Sequence, residues 1–483
     1  MNTTALRTIQ EEFGDRASAS SMERELYSRD LGPVPALMVD PLFQTMADLI
    51  VRPKTVEEIA ALVRRAASEG IPITPRAGAT TVFFNAVPVK GGIIIDLNAL
   101  TGVIALDEAA MTVTVRAATT WSDLEDYLNA RGLACKSMPS SAPAATVGGW
   151  LCMLGYGIGS LKYGSLLSQV KTVESVLPDG RVRRLSRATD PSLEWLAASE
   201  GTLGIVTEVE LEIRALNDVH HFLLHVPDNR DGLKIMNLLL NEKILPYNMH
   251  FSDRHFVRTM KDLGLSHVPV DQGCLLAVDY EGTPAELSEA EAIIARIAKE
   301  NTAAILPAGL AKEEWEERFK SIRIKRGGPG ILGAEIWLPI AGMPAYLEDV
   351  KKLSETYGLN LMSYAHVVSP ERALVMTEFF ADERKRLQYI ISLSLVKKIQ
   401  DAGYRCGGCP YGVGLWNAPY LGRIYTPEQL REIRKRKKKL DTRDIMNPGK
   451  LYRPPFILNP FFFYVAMEML ALTRRIFGKG WQQ

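Results

Sequence analysis

Three stretches of small residues constrain this chain more than any other feature: PRAGATT at 75–81, PSSAPAATVGGWLCMLGYGIGSLKYG at 139–164, and SEGTLGIVTEVEL at 199–211. In the first, a short apolar run enters a tight turn, where successive backbone N–H groups converge on an anion. In the second, the small side chains let backbone lie flat against a large planar ligand, and Ser and Thr hydroxyls add donors. In the third, a Gly turn feeds a strand whose backbone is able to pair with the edge of a heterocycle. Two other Gly-rich stretches fail the usual nucleotide patterns. GYGIGS at 155–160 has Ser160 where the dinucleotide fingerprint needs its third Gly, and GGPGILG at 327–333 lacks the Lys and Ser/Thr of a phosphate-binding P-loop.

The surrounding elements are readable. In VRPKTVEEIAALVRRAASEG, Thr55 is a candidate N-cap with Glu58 three residues on; Ile59, Leu62, Val63 and Ala66 recur at helical spacing, and Gly70 ends the run. WSDLEDYLNARGL reads as a helix capped by Ser122 or Asp123. GGIIIDL, MTVTVRA and GIVTEVELEIR are β-branched strand runs. Beyond residue 216, HHFLLHV and CLLAVDYEG alternate with long helices such as TPAELSEAEAIIARIAKEN, which predicts a second sheet with helices on one face. TPEQLREIRKRKKKLD is a helix opening on Pro427.

With 483 residues the chain exceeds one ordinary core. The expected layout is an N-terminal lead-in (1–45), a first domain (46–216), a second (217–440), a return to the first (441–457) and an apolar, basic tail (458–483). The fold class is α+β. A net charge of +1 gives no global reason to expect nucleic acid, and five cysteines make no disulfide framework, so a reducing, cytoplasmic setting is the expectation. No secretory signal is visible at the N-terminus.

Order and spacing of the three stretches, with their flanks, resemble the FAD-binding domain of the vanillyl-alcohol oxidase/p-cresol methylhydroxylase superfamily, in its glycolate oxidase and D-lactate dehydrogenase branch. VRPKTVEEIAALVRRAASEGIPITPRAGAT is similar to the opening of that domain, and LPDGRVRRLS with EGTLGIVTEVELEIR to its close. DTRDIMNPGKLY looks like the segment by which the family returns to its flavin domain. The resemblance implies a two-domain flavoprotein, with FAD between the first domain and a cap. It implies that Arg76, Ala77, Gly78, Ala79, Thr80 and Thr81 surround the pyrophosphate with backbone donors. Pro139, Ser140, Thr146 and Gly149 would line the phosphate and isoalloxazine region, and Gly157, Ser160 and Tyr163 would continue along the flavin. Glu200, Gly204, Ile205 and Val206 would sit near the adenine and ribityl portions, largely through backbone, and Asn447 and Lys450 belong to the returning segment.

Two departures carry information. Some relatives tether the flavin through a His in the first Gly loop; Thr80 stands there, which points to noncovalent FAD. The branch also builds a divalent-metal and base site from a His-rich and a Glu-His-Gly segment. Here the matching stretches are SYAHVVSPERALVM (363–376) and CGGCPYGVGLWN (406–417); only His366 remains, too few ligands for such a metal. No catalytic metal is expected. Acid/base work then falls to His366 with Tyr364, two positions away on the same strand face, while Tyr411 and Asn417 orient a substrate oxygen and Arg323, with Lys325 and Arg326, clamps a carboxylate. Core or surface packing is the competing reading for each. Cys406 and Cys409 form a C-x-x-C, read either as a redox dithiol or as small turn residues. His221 and His225 share one strand face at best.

The tail, PFFFYVAMEMLALTRRIFGKGWQQ, has an apolar run of about 12 residues, too short to span a bilayer. Arg474, Arg475 and Lys479 border it, and Arg434 to Lys439 form a dense basic block upstream, a combination suited to an anionic membrane surface. Docking of a redox partner and packing on its own protein are the alternatives. The expected function is FAD-dependent oxidoreduction, a dehydrogenase acting on a small hydroxy acid, alcohol or lipid-linked sugar and passing electrons to quinone or a partner protein. A flavin-dependent transferase without net oxidation and a non-catalytic electron relay are the alternatives.

Overall fold

The computed structural model describes residues 3–33, 44–270, 272–451 and 454–478. They divide into two compact units. The first comprises the described residues of 1–155, 165–215 and 412–460, and the second those of 156–164, 216–411 and 461–483.

The first unit holds two sheets. In the smaller, strands Leu49–Val51, Ile93–Asp96 and Ile73–Arg76 run parallel, and Ala17–Ser18 adds an antiparallel edge. All the strand residues from Ile93 to Asp96 are buried, as a central parallel strand requires. The helix Val56–Glu69 covers this sheet with Ile59, Leu62, Val63 and Ala66; Thr55 caps it and Gly70 ends it with φ 66°. The larger sheet is antiparallel and built around the long strand Ile205–Ala215, which pairs with Thr112–Arg116 on one side and Val170–Val176 on the other. The helix Trp121–Asn129 is capped by Thr120, whose hydroxyl accepts from the Asp123 N–H. The sequence reading set the cap at Ser122 or Asp123. Both instead lie in the first turn, because Thr120 is the last residue with extended backbone.

The second unit is an eight-stranded antiparallel sheet with the segment Tyr156–Gly164 added. Successive side chains along its strands point to opposite faces. One face packs against the helices Asn229–Leu240, Pro284–Glu300, Met343–Tyr357 and Arg386–Arg405. There Gly232 lies against Cys274 and Phe251, Gly403 lies against Ile336, and the Tyr346 hydroxyl meets Thr377 at 2.7 Å. The C-terminal helix Pro460–Phe477 docks on Arg386–Arg405 through Glu468, bound by Lys397 (2.6 Å) and Lys398 (2.5 Å), and through Arg474, which donates to Ser392. Its outer side leaves Phe461, Phe462, Val465, Met469, Leu472 and Ile476 exposed. Lys479, counted above at the polar boundary, lies outside the described residues. No described helix is long and apolar enough to cross a membrane.

Candidate functional site

The first unit supplies a cradle made of backbone. The strand Ile73–Arg76 ends where Leu97 donates to the Arg76 carbonyl, and the chain then turns through Ala77 to Thr81. Among the described residues, no carbonyl accepts from the N–H groups of Ala77, Gly78, Ala79, Thr80 or Thr81. Five successive donors, half-buried or at the surface, are thus left pointing away from the protein's own hydrogen bonding. A Cβ on Gly78 would stand 2.0 Å from the Ala144 carbonyl oxygen, so only glycine lets this turn approach the second small-residue stretch. In that stretch the Pro139 carbonyl accepts from Ala142, Thr146 caps the short helix Val147–Cys152 by accepting from Gly149, and Ser140 stays half-buried. Ala79 adopts φ 46°, a left-handed conformation that aims consecutive N–H groups to one side. The Arg76 guanidinium points elsewhere: it donates to the Arg29 carbonyl and sits over the Tyr27 ring at 5.5 Å.

Behind the cradle, the buried charges of Lys450 and Glu200 are engaged with backbone. The Lys450 ammonium donates to the carbonyls of Phe84 (2.7 Å), Asn85 (2.8 Å) and Val87 (2.6 Å). Three hydrogens meet three acceptors, so Lys450 holds the 84–87 segment and has no donor left for a cofactor. Burial lowers its pKa, opposed by the Glu200 and Asp30 charges. Glu200 was expected near the ligand through its backbone. Instead its N–H goes to the Cys152 carbonyl, its own carbonyl accepts from Asn447, and its carboxylate accepts from Val413 and Gly414. Its raised pKa comes from desolvation, countered by those N–H groups. Asn447 adopts φ 39° and donates to both Asn85 and Glu200, while its buried Oδ1 meets no partner. Ile205 and Val206 open the central strand opposite Val176 and Ser175, and a Cβ on Gly204 would crowd the Ser175 hydroxyl at 2.8 Å.

The remaining predicted cofactor residues, Gly157, Ser160 and Tyr163, fall in the second unit. Ser160 accepts from the Gly157 N–H, which ties off this loop, and the Tyr163 hydroxyl donates to buried Glu281. Both hydroxyls are therefore engaged within the protein. Asn417, expected to orient substrate, is in the first unit. It is 1 % exposed and its amide donates to the Gly412 carbonyl, so it fixes a turn. Arg323, expected as a carboxylate clamp, pairs with Glu317 at 3.0 Å in a partly exposed position. Cys406 and Cys409 both have thiol pKa values raised by burial, which disfavours a reactive thiolate.

The second unit's other sheet face carries the ionisable side chains. Register aligns Tyr364 with Met376 and Ser252, His366 with Leu374 and His250, Glu335 with Met376, and Glu378 with Met362 and Gly333. Partners in register share a face, so Glu335, Glu378, Tyr364, His366 and His250 all project to one side. His250 and His366 stack with centroids 4.4 Å apart, and Tyr364 packs against Phe256 at 4.9 Å. Tyr411 follows the edge strand: its N–H donates to the Glu335 carbonyl and its hydroxyl accepts from the Tyr156 N–H at 3.2 Å, beside Trp337. Burial pushes Glu335 up to about 7 and Glu378 up to about 8, and pulls His366 down to about 4. Burial also raises Tyr364, with the Glu378 and Glu335 charges adding to the effect, so it stays a phenol and a donor. Glu378 Oε1, His366 Nδ1 and His250 Nε2 are buried without a hydrogen-bond partner among the described residues. Sequence reading found Tyr364 and His366 but missed Glu335, Glu378 and His250. Its available signal was a carboxylate at an apolar-flanked strand position in GAEIW and MTEFF. Further along the same face, His221 and His225 do share a side; His221 bonds Asp279 at 2.7 Å and stacks on Trp315. Among the described residues no group of three or more His, Cys, Asp or Glu is placed to hold a metal ion.

Two successive stretches of the chain match family descriptions. Residues 47–186 match the FAD binding domain, and residues 217–451 match the C-terminal domain of FAD linked oxidases. The chain belongs to the FAD-linked oxidases. It is 24% identical over 426 residues to a glycolate oxidase subunit of Bacillus subtilis, covering 85% of this chain and 90% of the relative. It is 26% identical over 427 residues to a mitochondrial D-lactate dehydrogenase (cytochrome) of Arabidopsis thaliana, covering 84% and 74%. The solved 4-ethylphenol oxidase of Gulosibacter chungangensis has the same fold, with a TM-score of 0.79 at 16% identity over 94% of this chain and 98% of that one. The two-domain α+β flavoprotein architecture expected from the sequence is thereby established, as is FAD as the cofactor. The free donors of Ala77–Thr81, the close approach at Gly78 and the unpartnered Asn447 Oδ1 fit such a ligand.

Proposed function

We propose that this FAD-dependent oxidoreductase is a dehydrogenase that holds its flavin noncovalently and oxidises a hydroxyl-bearing carbon of a small substrate. FAD, when bound, supplies the two-electron acceptor. The observation that carries the reading is the set of buried, unpartnered acid and base groups on the sheet face of the second unit. Tyr364 donates to the substrate oxygen. The proton leaving that oxygen goes to a carboxylate, Glu335 or Glu378, whose values near neutrality suit a general base better than His366 at about 4. His366, held neutral, accepts a hydrogen bond and orients the hydroxyl. Thr80 stands in the first Gly turn where a tethering His would sit, which supports noncovalent attachment. Acid precipitation checks this: flavin should stay in the supernatant, and flavin in the pellet refutes it. Anaerobic mixing with substrate checks the dehydrogenase. Bleaching of the flavin is expected, whereas turnover without bleaching points to a transferase.

The exposed row Phe461, Val465, Met469, Leu472 and Ile476 on the C-terminal helix supports peripheral docking on an anionic bilayer, with electrons passed to a quinone there. One acidic side chain on this helix, Glu468, is neutralised by Lys397 and Lys398. The chain should float with anionic vesicles, and removal of residues 458–483 should abolish flotation; equal recovery of both forms refutes the docking.

A further inference from the structure

We propose that the row of side chains running from Tyr364 and His366 through His250 to the Asp279–His221 pair carries the substrate's proton to solvent. The inference rests on reading this face as a dehydrogenase site. Oxidation of a hydroxyl-bearing carbon to a carbonyl removes a hydride from carbon, for which FAD supplies the acceptor, and a proton from oxygen. That proton first reaches Glu335 or Glu378, and it must leave the face before the next turnover. Register lays a row of groups across the sheet. His366 stands opposite His250, and their rings stack at 4.4 Å; the Tyr364 ring lies 5.5 Å from His250 and 6.2 Å from His366. His250 in turn stands opposite Ala277, and Asp279 lies two residues on. His250 and Asp279 are therefore diagonal neighbours, with Cβ atoms about 7–8 Å apart, a span that one bridging water closes. Asp279 then bonds His221 Nδ1 at 2.7 Å and accepts from the Asn248 amide at 2.8 Å.

Each member suits the task. A phenol and a neutral imidazole both carry a donor and an acceptor, so each takes a proton on one side while giving one up on the other. Burial keeps Tyr364 protonated and His366 neutral. His366 Nδ1 and His250 Nε2 are buried without a hydrogen-bond partner among the described residues, which leaves ring nitrogens for the transfer. Asn248 and Trp315 hold the far end: the amide fixes the Asp279 carboxylate, and the indole stacks on His221 at 5.0 Å. With Nδ1 tied to Asp279, His221 turns Nε2 the other way, and its side chain is 17% exposed against 5% for Asp279. Histidine is the side chain best suited to exchange protons with water near neutrality. His250, Asp279 and His221 act through His366 rather than on the substrate. Lys325, whose charge acts on Glu378, marks the rival exit at the other end of the row.

The test uses anaerobic holoenzyme in weak buffer, mixed rapidly with glycolate, D-lactate, glycerol and benzyl alcohol in turn. Flavin bleaching is recorded together with a pH indicator read at wavelengths above the flavin bands. In the parent, a proton stoichiometric with flavin should appear as fast as bleaching proceeds. In His221→Gln and Asp279→Asn, each checked for FAD content and melting temperature, bleaching should stay within about twofold while proton release slows by about tenfold or more. Millimolar imidazole should restore the release, which a merely structural defect would not allow. Four results would each overturn the relay and leave the dehydrogenase reading standing: release that keeps pace with bleaching in both variants, a lag that imidazole does not shorten, bleaching of the parent without proton release, or a lag in Lys325→Met with none in His221→Gln. Bleaching by none of these probes overturns the dehydrogenase reading itself, and the relay with it.

Discussion

Some of the buried ionisable groups in the two units are held in opposite ways. In the first, Lys450 and Glu200 are buried with their bonding capacity directed at backbone, and the side of the cradle that faces a ligand is built from N–H groups of small residues. In the second, Glu378, His366 and His250 are buried with polar atoms left unpartnered. A buried polar atom without a partner costs stability, on the order of 1–3 kcal/mol. A fold retains that cost where a ligand completes the bonding. On the proposed reading, recognition of the common cofactor rests on backbone shape, and discrimination among substrates rests on side chains of a rigid sheet.

Lys450 gives the largest test of this contrast. Replacing it with Met leaves three buried carbonyls without their donor, and unfolding free energy should fall by about 3–5 kcal/mol with loss of flavin. Thermal unfolding and the flavin-to-protein ratio check it; a stable, yellow variant would remove the scaffold role. His366→Gln and Tyr364→Phe should do the converse, lowering kcat/KM by about 10²-fold while the melting temperature stays within about 2 °C. Flavin content should be unchanged in both. If melting falls as far as in the Lys450 variant, the two faces are not built on different principles.

Gly78→Ala is the next step down. Its Cβ would meet the Ala144 oxygen at 2.0 Å, so one of the two loops must move, at a cost of about 1–3 kcal/mol in FAD affinity. Titration of apoprotein with FAD measures this. Unchanged affinity would place the phosphates elsewhere than over residues 77–81.

The contrast also explains what was legible in the sequence. Backbone-built sites leave a signature in residue size and order, so PRAGATT pointed to a turn of free N–H donors. The helix Val56–Glu69 was equally plain, because cap, periodicity and terminal glycine agree. Lys450 was located, but nothing local said that its partners are carbonyls at 84, 85 and 87, more than three hundred residues earlier. Glu335 and Glu378 were invisible for another reason. A strand with one carboxylate among apolar residues reads as a half-exposed strand, and only register puts both acids on one face with Tyr364. Arg323 misled because a basic residue before glycines has the composition of an anion clamp, whereas Glu317 six residues earlier takes its charge.

The smallest expected effect concerns pH. Glu378 is shifted up to about 8, and Glu335 up to about 7, by burial. In the unfolded chain both ionise near the ordinary glutamate value, so between roughly pH 4.5 and 8 the folded state holds more protons than the unfolded state. Stability from these groups is full below that window and declines as pH rises through it. Glu378→Gln removes one ionisation while keeping the shape, so its melting temperature should fall less than that of the parent chain from pH 5 to pH 8. A gain of about 2 °C or more at the upper end is the expected size. The first unit gives the control: Lys437 and Asp441 are buried 2.6 Å apart as an ion pair, and Asp441→Asn should lower stability across that whole range, with no recovery at pH 8. Parallel pH curves for Glu378→Gln and its parent would mean that the carboxyl is not held protonated, and that its unpartnered oxygen reaches solvent after all.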